Sequence, residues 1–424
     1  MKKLNLFLGV LLAFAVLATV LVSCSEDDPV PITLTSLTAG SIDLNSATSA
    51  TDVPVDATIT AVFTTDVDAS TATTSTIKLS RDYDGADIPH NVTVSGKNVT
   101  ITPQSDLTGG ALFELAFLDG VKSTEGETLA GFSRTFSTSG IFVPDGQIAY
   151  FSFENNADDV VGNFDPAPGD IVAITYVDSR APKFGKAASF DGDESIIEVP
   201  NGDQLMNASN FSLSFWVRTN SEGHVNADGN PAGHFVMGLG AFFGLQFEIP
   251  ADYKWCKFGV QYLWGDGTTG TGGDLFFNGD GISKDNGGWQ GSEYRRDLTG
   301  TGGVEAFIKD RWVHVVFVYD NTTKKRSLYL DGKIMQRENF NLWPDDSKER
   351  TVNGLKFAAN DEVGNKLALG FITDRSSTLW ANEPWGGYTF PGANHFKGLM
   401  DDVRIFHSAL TETEVDLLYN SERP

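Results

Sequence analysis

Apolar and polar residues alternate with a period of two through most of this chain. Ala57-Thr58-Ile59-Thr60-Ala61-Val62-Phe63, Asn98-Val99-Thr100-Ile101 and Ala111-Leu112-Phe113-Glu114-Leu115 each turn one apolar face toward a core, as half-buried strands do. Asp84-Gly85, Ser95-Gly96-Lys97-Asn98, Gly109-Gly110 and Asp119-Gly120 punctuate them as turns. About seven such strands without helical periodicity predict an antiparallel sandwich over residues 31–140. Ser139-Gly140 and Pro144-Asp145-Gly146 read as a junction, and a second module follows over 145–424. Its strand candidates are 148–153, 187–190, 195–199, 211–218, 312–319, 327–330, 367–371 and 400–406. Leu213, Phe215 and Val217 share one face, and Ser212, Ser214 and Trp216 the other. Strands joined by long Gly-rich loops predict a two-sheet jelly roll, so the whole chain reads as all-β. One helix is expected, where Thr411 and Glu414 have capping-box spacing ahead of Val415, Leu417 and Leu418.

The first residues break this pattern. Lys2 and Lys3 precede an apolar run from Leu4 to Val22, and Leu21-Val22-Ser23-Cys24 resembles the bacterial lipobox. The resemblance implies a signal peptide over 1–23 and a lipid on Cys24, with residues 24–30 as an acidic tether. Acyl chains contribute roughly 0.8 kcal/mol per buried methylene, so several hold a protein firmly at a membrane. Ser25-Glu26-Asp27-Asp28 is similar to the export signal of Bacteroidota surface lipoproteins, which implies an outer-membrane protein displayed outside the cell. Acidic residues outnumber basic ones 56 to 31, a formal charge of −25 that becomes −27 without Lys2 and Lys3. That balance excludes nucleic acid as a partner, because phosphate binding needs clustered Lys and Arg. Beyond Cys24 only Cys256 remains, so no intramolecular disulfide forms in the mature chain, and Cys256 reads as a buried structural thiol.

Longer motifs carry family resemblance. Asp52-Val53-Pro54-Val55-Asp56-Ala57-Thr58-Ile59, Val99-Thr100-Ile101-Thr102-Pro103 and Phe132-Ser133-Arg134-Thr135-Phe136-Ser137-Thr138 resemble bacterial Ig-like domains of the S-layer and adhesin type, whose role is that of spacer or support. The second module resembles laminin-G-like, concanavalin A-like domains. Tyr150-Phe151-Ser152-Phe153, Ala188-Ser189-Phe190-Asp191-Gly192, Phe211-Ser212-Leu213-Ser214-Phe215-Trp216-Val217, Arg311-Trp312-Val313-His314-Val315, Tyr329-Leu330-Asp331-Gly332 and Gly398-Leu399-Met400-Asp401-Asp402-Val403-Arg404-Ile405 follow in the family's order. Against this pattern residues 221–309 and 372–395 read as long insertions, the parts that individualise the protein. The fold hosts lectins, adhesion modules and glycanases alike, so the site must decide function.

Candidate chemistry is sparse. There is no His-Glu-x-x-His, no Gly-x-Ser-x-Gly, no phosphate-cradling loop with Lys and no strand of alternating catalytic carboxylates, so the chain reads as non-enzymatic. The resemblance implies a structural Ca2+, with Asp159, Asn163 and Asp401 as candidate ligands, Asp401 being placed on the inward face with Val403 and Ile405. The alternative for these acids is a solvated loop or a backbone cap. His314, mid-strand among valines, reads as a satisfied core histidine. Trp289, Trp343, Trp380, Trp385 and Tyr388 lie in Gly-, Asn- or Pro-rich stretches and are expected to be exposed, with Asn382 and Asp374 as hydrogen-bonding neighbours. Rigid aromatic faces suit stacking on sugar rings, so glycan is the expected partner. A protein ligand, or glycoside hydrolase or lyase activity, is the alternative.

Overall fold

The computed structural model describes residues 30–424; Cys24, its acidic neighbours and the apolar N-terminal run lie outside them. Two compact units divide between Ser139 and Gly140. Among the described residues no helix is long and apolar enough to cross a membrane.

The first unit holds β1 (Leu34–Ala39), β2 (Ile42–Asp43), β3 (Ala50–Val53), β4 (Ile59–Phe63), β5 (Ile77–Arg81), β6 (His90–Ser95), β7 (Asn98–Pro103), β8 (Leu112–Phe117) and β9 (Phe132–Thr138). They form sheets of order β2-β1-β4-β7-β6 and β3-β9-β8-β5, antiparallel except for the β3–β9 pair. The alternating residues meet between the sheets: Phe63 of β4 packs edge-on against Phe117 of β8 at 5.7 Å, and both are buried.

The second unit continues with β10 (Gln147–Phe151), β11 (Ile171–Val172), β12 (Thr175–Asp178), β13 (Lys186–Asp191), β14 (Ile196–Val199), β15 (Phe211–Thr219), β16 (His234–Leu239), β17 (Leu245–Ile249), β18 (Cys256–Val260), β19 (Tyr262–Leu263), β20 (Thr269–Gly270), β21 (Leu275–Phe277), β22 (Ser292–Arg295), β23 (Trp312–Asp320), β24 (Lys325–Leu330), β25 (Lys333–Asn339), β26 (Leu367–Leu369) and β27 (Lys397–Phe406). A nine-stranded sheet runs β12-β13-β27-β15-β23-β24-β25-β22, with β10 also on β27. A seven-stranded sheet, β11-β14-β26-β16-β17-β18-β21, packs on it face to face. Phe215 of β15 meets Phe247 of β17 at 5.5 Å, and Phe317 of β23 meets Phe258 of β18 at 5.1 Å, so the rings interdigitate across the interior. Residues 221–309 are therefore not a loop insertion: β16, β17, β18 and β21 supply four of the seven strands of the second sheet. Cys256 lies fully buried in this core, where burial pushes its thiol up to about 12.

The outer face of the nine-stranded sheet carries a charged, solvent-excluded network beneath the helix Glu412–Glu422. That helix starts on the expected capping box: Thr411 Oγ1 accepts from the Glu414 N–H at 3.2 Å, and Glu414 accepts from the Thr411 N–H at 2.8 Å. Beneath it Arg180 donates to Asp401 at 2.6 Å, to Asp402 and to the Glu422 carbonyl at 2.7 Å, its guanidinium lying between the Phe184 and Trp216 rings. Glu422 accepts from Arg404 at 2.9 Å and from the Trp216 indole at 2.8 Å. A β-bulge creates this arrangement. Trp216 pairs with Asp401 but Ser214 with Arg404, and Asp402 takes a left-handed φ of 46° to absorb the extra residue. Met400, Val403 and Ile405 thus point into the core, while Asp401 lies on the opposite face with Arg404. The simple alternation that placed Asp401 with Val403 fails at this bulge. His314 shares this layer, its Nε2 bonded to Ser214 Oγ at 2.8 Å, and burial beside Arg180 and Arg404 lowers it to about 3.

Candidate functional site

Among the described residues no such helix covers the outer face of the seven-stranded sheet. Strand alternation determines what it presents. In β17, Leu245, Phe247 and Ile249 point inward and Gln246 and Glu248 outward; in β18, Phe258 and Val260 point inward and Lys257 outward; in β21, Phe276 points outward. Register aligns Phe235, Glu248, Lys257 and Phe276 in one row across four strands. The next row is Glu198, Ala368, Gly238, Gln246 and Gly259. Lys257 Nζ bridges Glu248 at 2.6 Å and Asp274 at 2.8 Å, and Trp255 leans on Phe276 at 5.2 Å.

Residues 372–395 fold over one half of this face. Ile372, Phe371 and Ala393 pack on Phe235, Ile196 and Ala368, a second apolar cluster outside the main core. Gly238 permits this approach: a Cβ there would sit 2.5 Å from the Ile372 carbonyl oxygen. Polar ties hold the segment down. Tyr388 donates its hydroxyl to the Glu194 carbonyl at 2.6 Å, His395 Nε2 lies 2.8 Å from the Tyr388 carbonyl, and Asn394 accepts the Phe235 N–H at 2.7 Å. Beneath its start the Arg375 guanidinium and N–H hold the buried Glu198 carboxylate at 2.8 and 2.6 Å. Asp374 is 2% exposed; Oδ1 accepts from Ser376, while Oδ2 has no hydrogen-bond partner among the described residues.

The segment displays two tryptophans beside the open half of the sheet. Trp380 and Trp385 lie 5.0 Å apart, Trp380 against Phe242 and Trp385 against Phe235. Trp385 is 43% exposed, and Asn382 stands exposed between them in sequence. Phe235 and Phe276 are separated by three interstrand steps, about 14 Å at 4.7–4.9 Å each. Trp385 on one side and Trp255 with Phe276 on the other therefore flank the polar strip of Glu248 and Lys257 at the span of a short oligosaccharide.

The other residues expected in a glycan site take different places. Tyr388 is half-buried against Phe371 and His395 and ties the segment rather than opening to solvent. Trp289, 44% exposed, stands edge-on to Trp343 at 4.6 Å, and Trp343 is half-buried on Phe340. Among the described residues no ring contact joins this pair to Trp380 and Trp385. Sequence reading missed Trp255, Phe276, Glu248 and Lys257, although Leu245-Gln246-Phe247-Glu248-Ile249 alternates plainly.

The residues offered for calcium do not fit it. Asp159 is buried, and its carboxylate accepts backbone N–H groups from Tyr150, Val161, Asn163 and Phe164 at 2.8–3.2 Å, the backbone-cap alternative. Asn163 has an exposed side chain, and Asp401 is neutralised by Arg180. Among the described residues no three His, Cys, Asp or Glu side chains converge as a metal would require.

Comparison with known proteins places these folds. Residues 28–138 match the bacterial Ig-like domain, and residues 191–364 match the concanavalin A-like lectin/glucanases superfamily. No curated protein matches the chain. Similar solved structures include the binding domain of Paraclostridial mosquitocidal protein 1 (15% identity, TM-score 0.42, covering 65% of this chain and 52% of that one). Domain 4 of AbnA, an extracellular arabinanase of Geobacillus stearothermophilus solved with arabinotriose, aligns at 22% identity and TM-score 0.35 over 65% of this chain and 98% of that one. The botulinum neurotoxin serotype D ligand-binding domain, solved with N-acetylneuraminic acid, aligns at 14% identity and TM-score 0.39 over 66% and 51%. This chain spans about half the length of the two toxin structures. Its architecture is an Ig-like β-sandwich followed by a concanavalin A-like jelly-roll sandwich.

Proposed function

We propose that this protein is a cell-surface lipoprotein, anchored in the outer membrane through Cys24, whose second unit binds glycan without turning it over. The first unit serves as spacer. The observation that carries the reading is the strip of Glu248 and Lys257 flanked by Trp385 and by the Trp255–Phe276 pair. Indole faces take the C–H faces of sugar rings, and the ion-paired side chains between them offer hydrogen bonds to hydroxyls without having to be ordered on binding. The carboxylates of Glu198, Glu248 and Asp274 are each engaged by a lysine or arginine, which supports recognition over acid–base chemistry. Asn382, beside Trp380 and Trp385, adds a polar contact at the edge.

A glycan array probed with the full chain tests this. Binding to a defined polysaccharide, lost tenfold or more (about 1.4 kcal/mol) in Trp385→Ala and in Trp255→Ala but kept in Trp289→Ala, is the expected result. Capture of a protein with no glycan bound would move the reading to adhesion. Release of reducing ends or unsaturated uronides would make the protein a degradative enzyme.

A further inference from the structure

The second unit has a cavity of about 440 Å³ away from the aromatic face, where β13, β15 and β27 of the nine-stranded sheet come together beside residues 220–222 and Asp310. Arg218 lines it. The alternation that buries Trp216 beneath Glu422 sends Arg218, two residues on, out of the same sheet face, and there it is exposed. Register aligns Ser189, Leu399, Arg218 and the half-buried Trp312 in one row across four strands.

The Arg218 guanidinium has no hydrogen bond or ion pair within the described residues. Every other arginine of this unit is engaged: with carboxylates (Arg295, Arg326, Arg337, Arg375), with carbonyls (Arg296, Arg311, Arg350) or, for Arg180 and Arg404, in the network already described, and Arg423 lies over Tyr419. In a chain with 56 acidic residues, an arginine in a cavity without an acid partner is an unmet recognition group. Of the two acids lining the cavity, Asp310 is held by the Ser221 N–H at 2.7 Å and the Ser221 hydroxyl at 2.5 Å. The Glu222 carboxylate is exposed and stands outside ion-pairing distance of Arg218.

We propose that this cavity is a second saccharide site, specific for a residue bearing a carboxylate. The planar fork of Arg218 accepts the carboxylate through two parallel N–H donors, an arrangement lysine does not reproduce. Ser189, Asn220 and Glu222 take ring hydroxyls, and the Leu399 side chain borders the sugar's apolar face. The chain's overall negative charge does not oppose this at physiological salt, because charges beyond about 8 Å are screened. The site lies on the other sheet from the Trp385 face and stands or falls independently of it.

The test titrates the full chain with galacturonate and oligogalacturonate by calorimetry, with glucose, acetate and inorganic sulfate as controls, in wild type, Arg218→Gln, Arg218→Lys and Glu222→Gln. The expected result is saturable binding of the uronates, absent for glucose. It weakens tenfold or more in Arg218→Gln, falls part-way in Arg218→Lys, and tightens two- to threefold in Glu222→Gln, where a like charge is removed. Uronate binding that Arg218→Gln leaves unchanged overturns the site, as does no uronate binding at all. Acetate or sulfate binding as tightly as galacturonate overturns the saccharide assignment and leaves a bare anion pocket.

Discussion

Arg180→Met cuts the buried network at its centre. Arg180 is fully enclosed, so methionine fills much of its aliphatic path between Phe184 and Trp216 but removes the donors to Asp401, Asp402 and the Glu422 carbonyl. Asp401 then loses its paired cation and Asp402 the nearer of two, Arg404 remaining 3.8 Å away, a change that costs about 3–5 kcal/mol. The penalty depends on pH. The network holds three acids, Asp401, Asp402 and Glu422, against Arg180 and Arg404. Burial first, and then the adjacent Asp402 charge, pushes Asp401 up to about 8; burial likewise pushes Glu422 up to about 7. Arg180 opposes both shifts, so its removal raises both groups further. An acid whose folded pKa lies above its unfolded value contributes stability that is complete below the unfolded pKa and is lost as pH rises through the folded one. Wild type therefore loses stability between about pH 4 and pH 8, and the variant loses more over a window reaching higher. All eight tryptophans lie after residue 215, so urea unfolding followed by tryptophan fluorescence reports the second unit alone. The expected result is a small difference between variant and wild type at pH 5 and the full penalty at pH 8.5. Equal penalties at both pH values, or one below about 1 kcal/mol at pH 8.5, would refute the account.

Two further outcomes follow from single buried groups. Asp159→Ala strips the acceptor from four backbone N–H groups and should cost at least ~2 kcal/mol in urea unfolding, while EDTA leaves the wild-type melt unmoved; a chelator-dependent melt would restore calcium to this loop. The Cys256 thiol, pushed up to about 12 by burial, should react with an aromatic disulfide reagent at pH 8 only once urea unfolds the second unit, and rapid labelling of the native protein would contradict its placement.

Much of the fold is legible in the residues because alternation and caps are local. The strands containing Leu213, Val315 and Val403, and the helix begun by Thr411, lie where period and capping box place them. What local pattern hides is count and contact. The extra residue at Asp401–Asp402 reverses a face without altering composition, and no spacing rule announces a bulge. The second sheet was obscured by its glycines: Gly238 and Gly259 interrupt the apolar alternation of β16 and β18, yet they sit in strands where other groups approach closely, the Ile372 carbonyl at one and Gln246 at the other. The candidate site shows the same division. Exposure of Trp385 and Trp289 follows from their loop setting, whereas Trp255 and Phe276 acquire meaning only when register carries them into line with Glu248 and Lys257.

The pairing of β10 with β27 has a further consequence. The Phe142 N–H donates to Ser421 Oγ at 3.1 Å, and the Gly146 carbonyl accepts from His407 at 2.9 Å, so the second unit is entered and left at nearly the same point. A body threaded this way is modular in a mechanical sense. Its two ends can be joined by a short linker and the chain reopened at an exposed turn such as Asp266-Gly267, or the whole unit can be set into a surface loop of another protein, with every strand of both sheets keeping its neighbours.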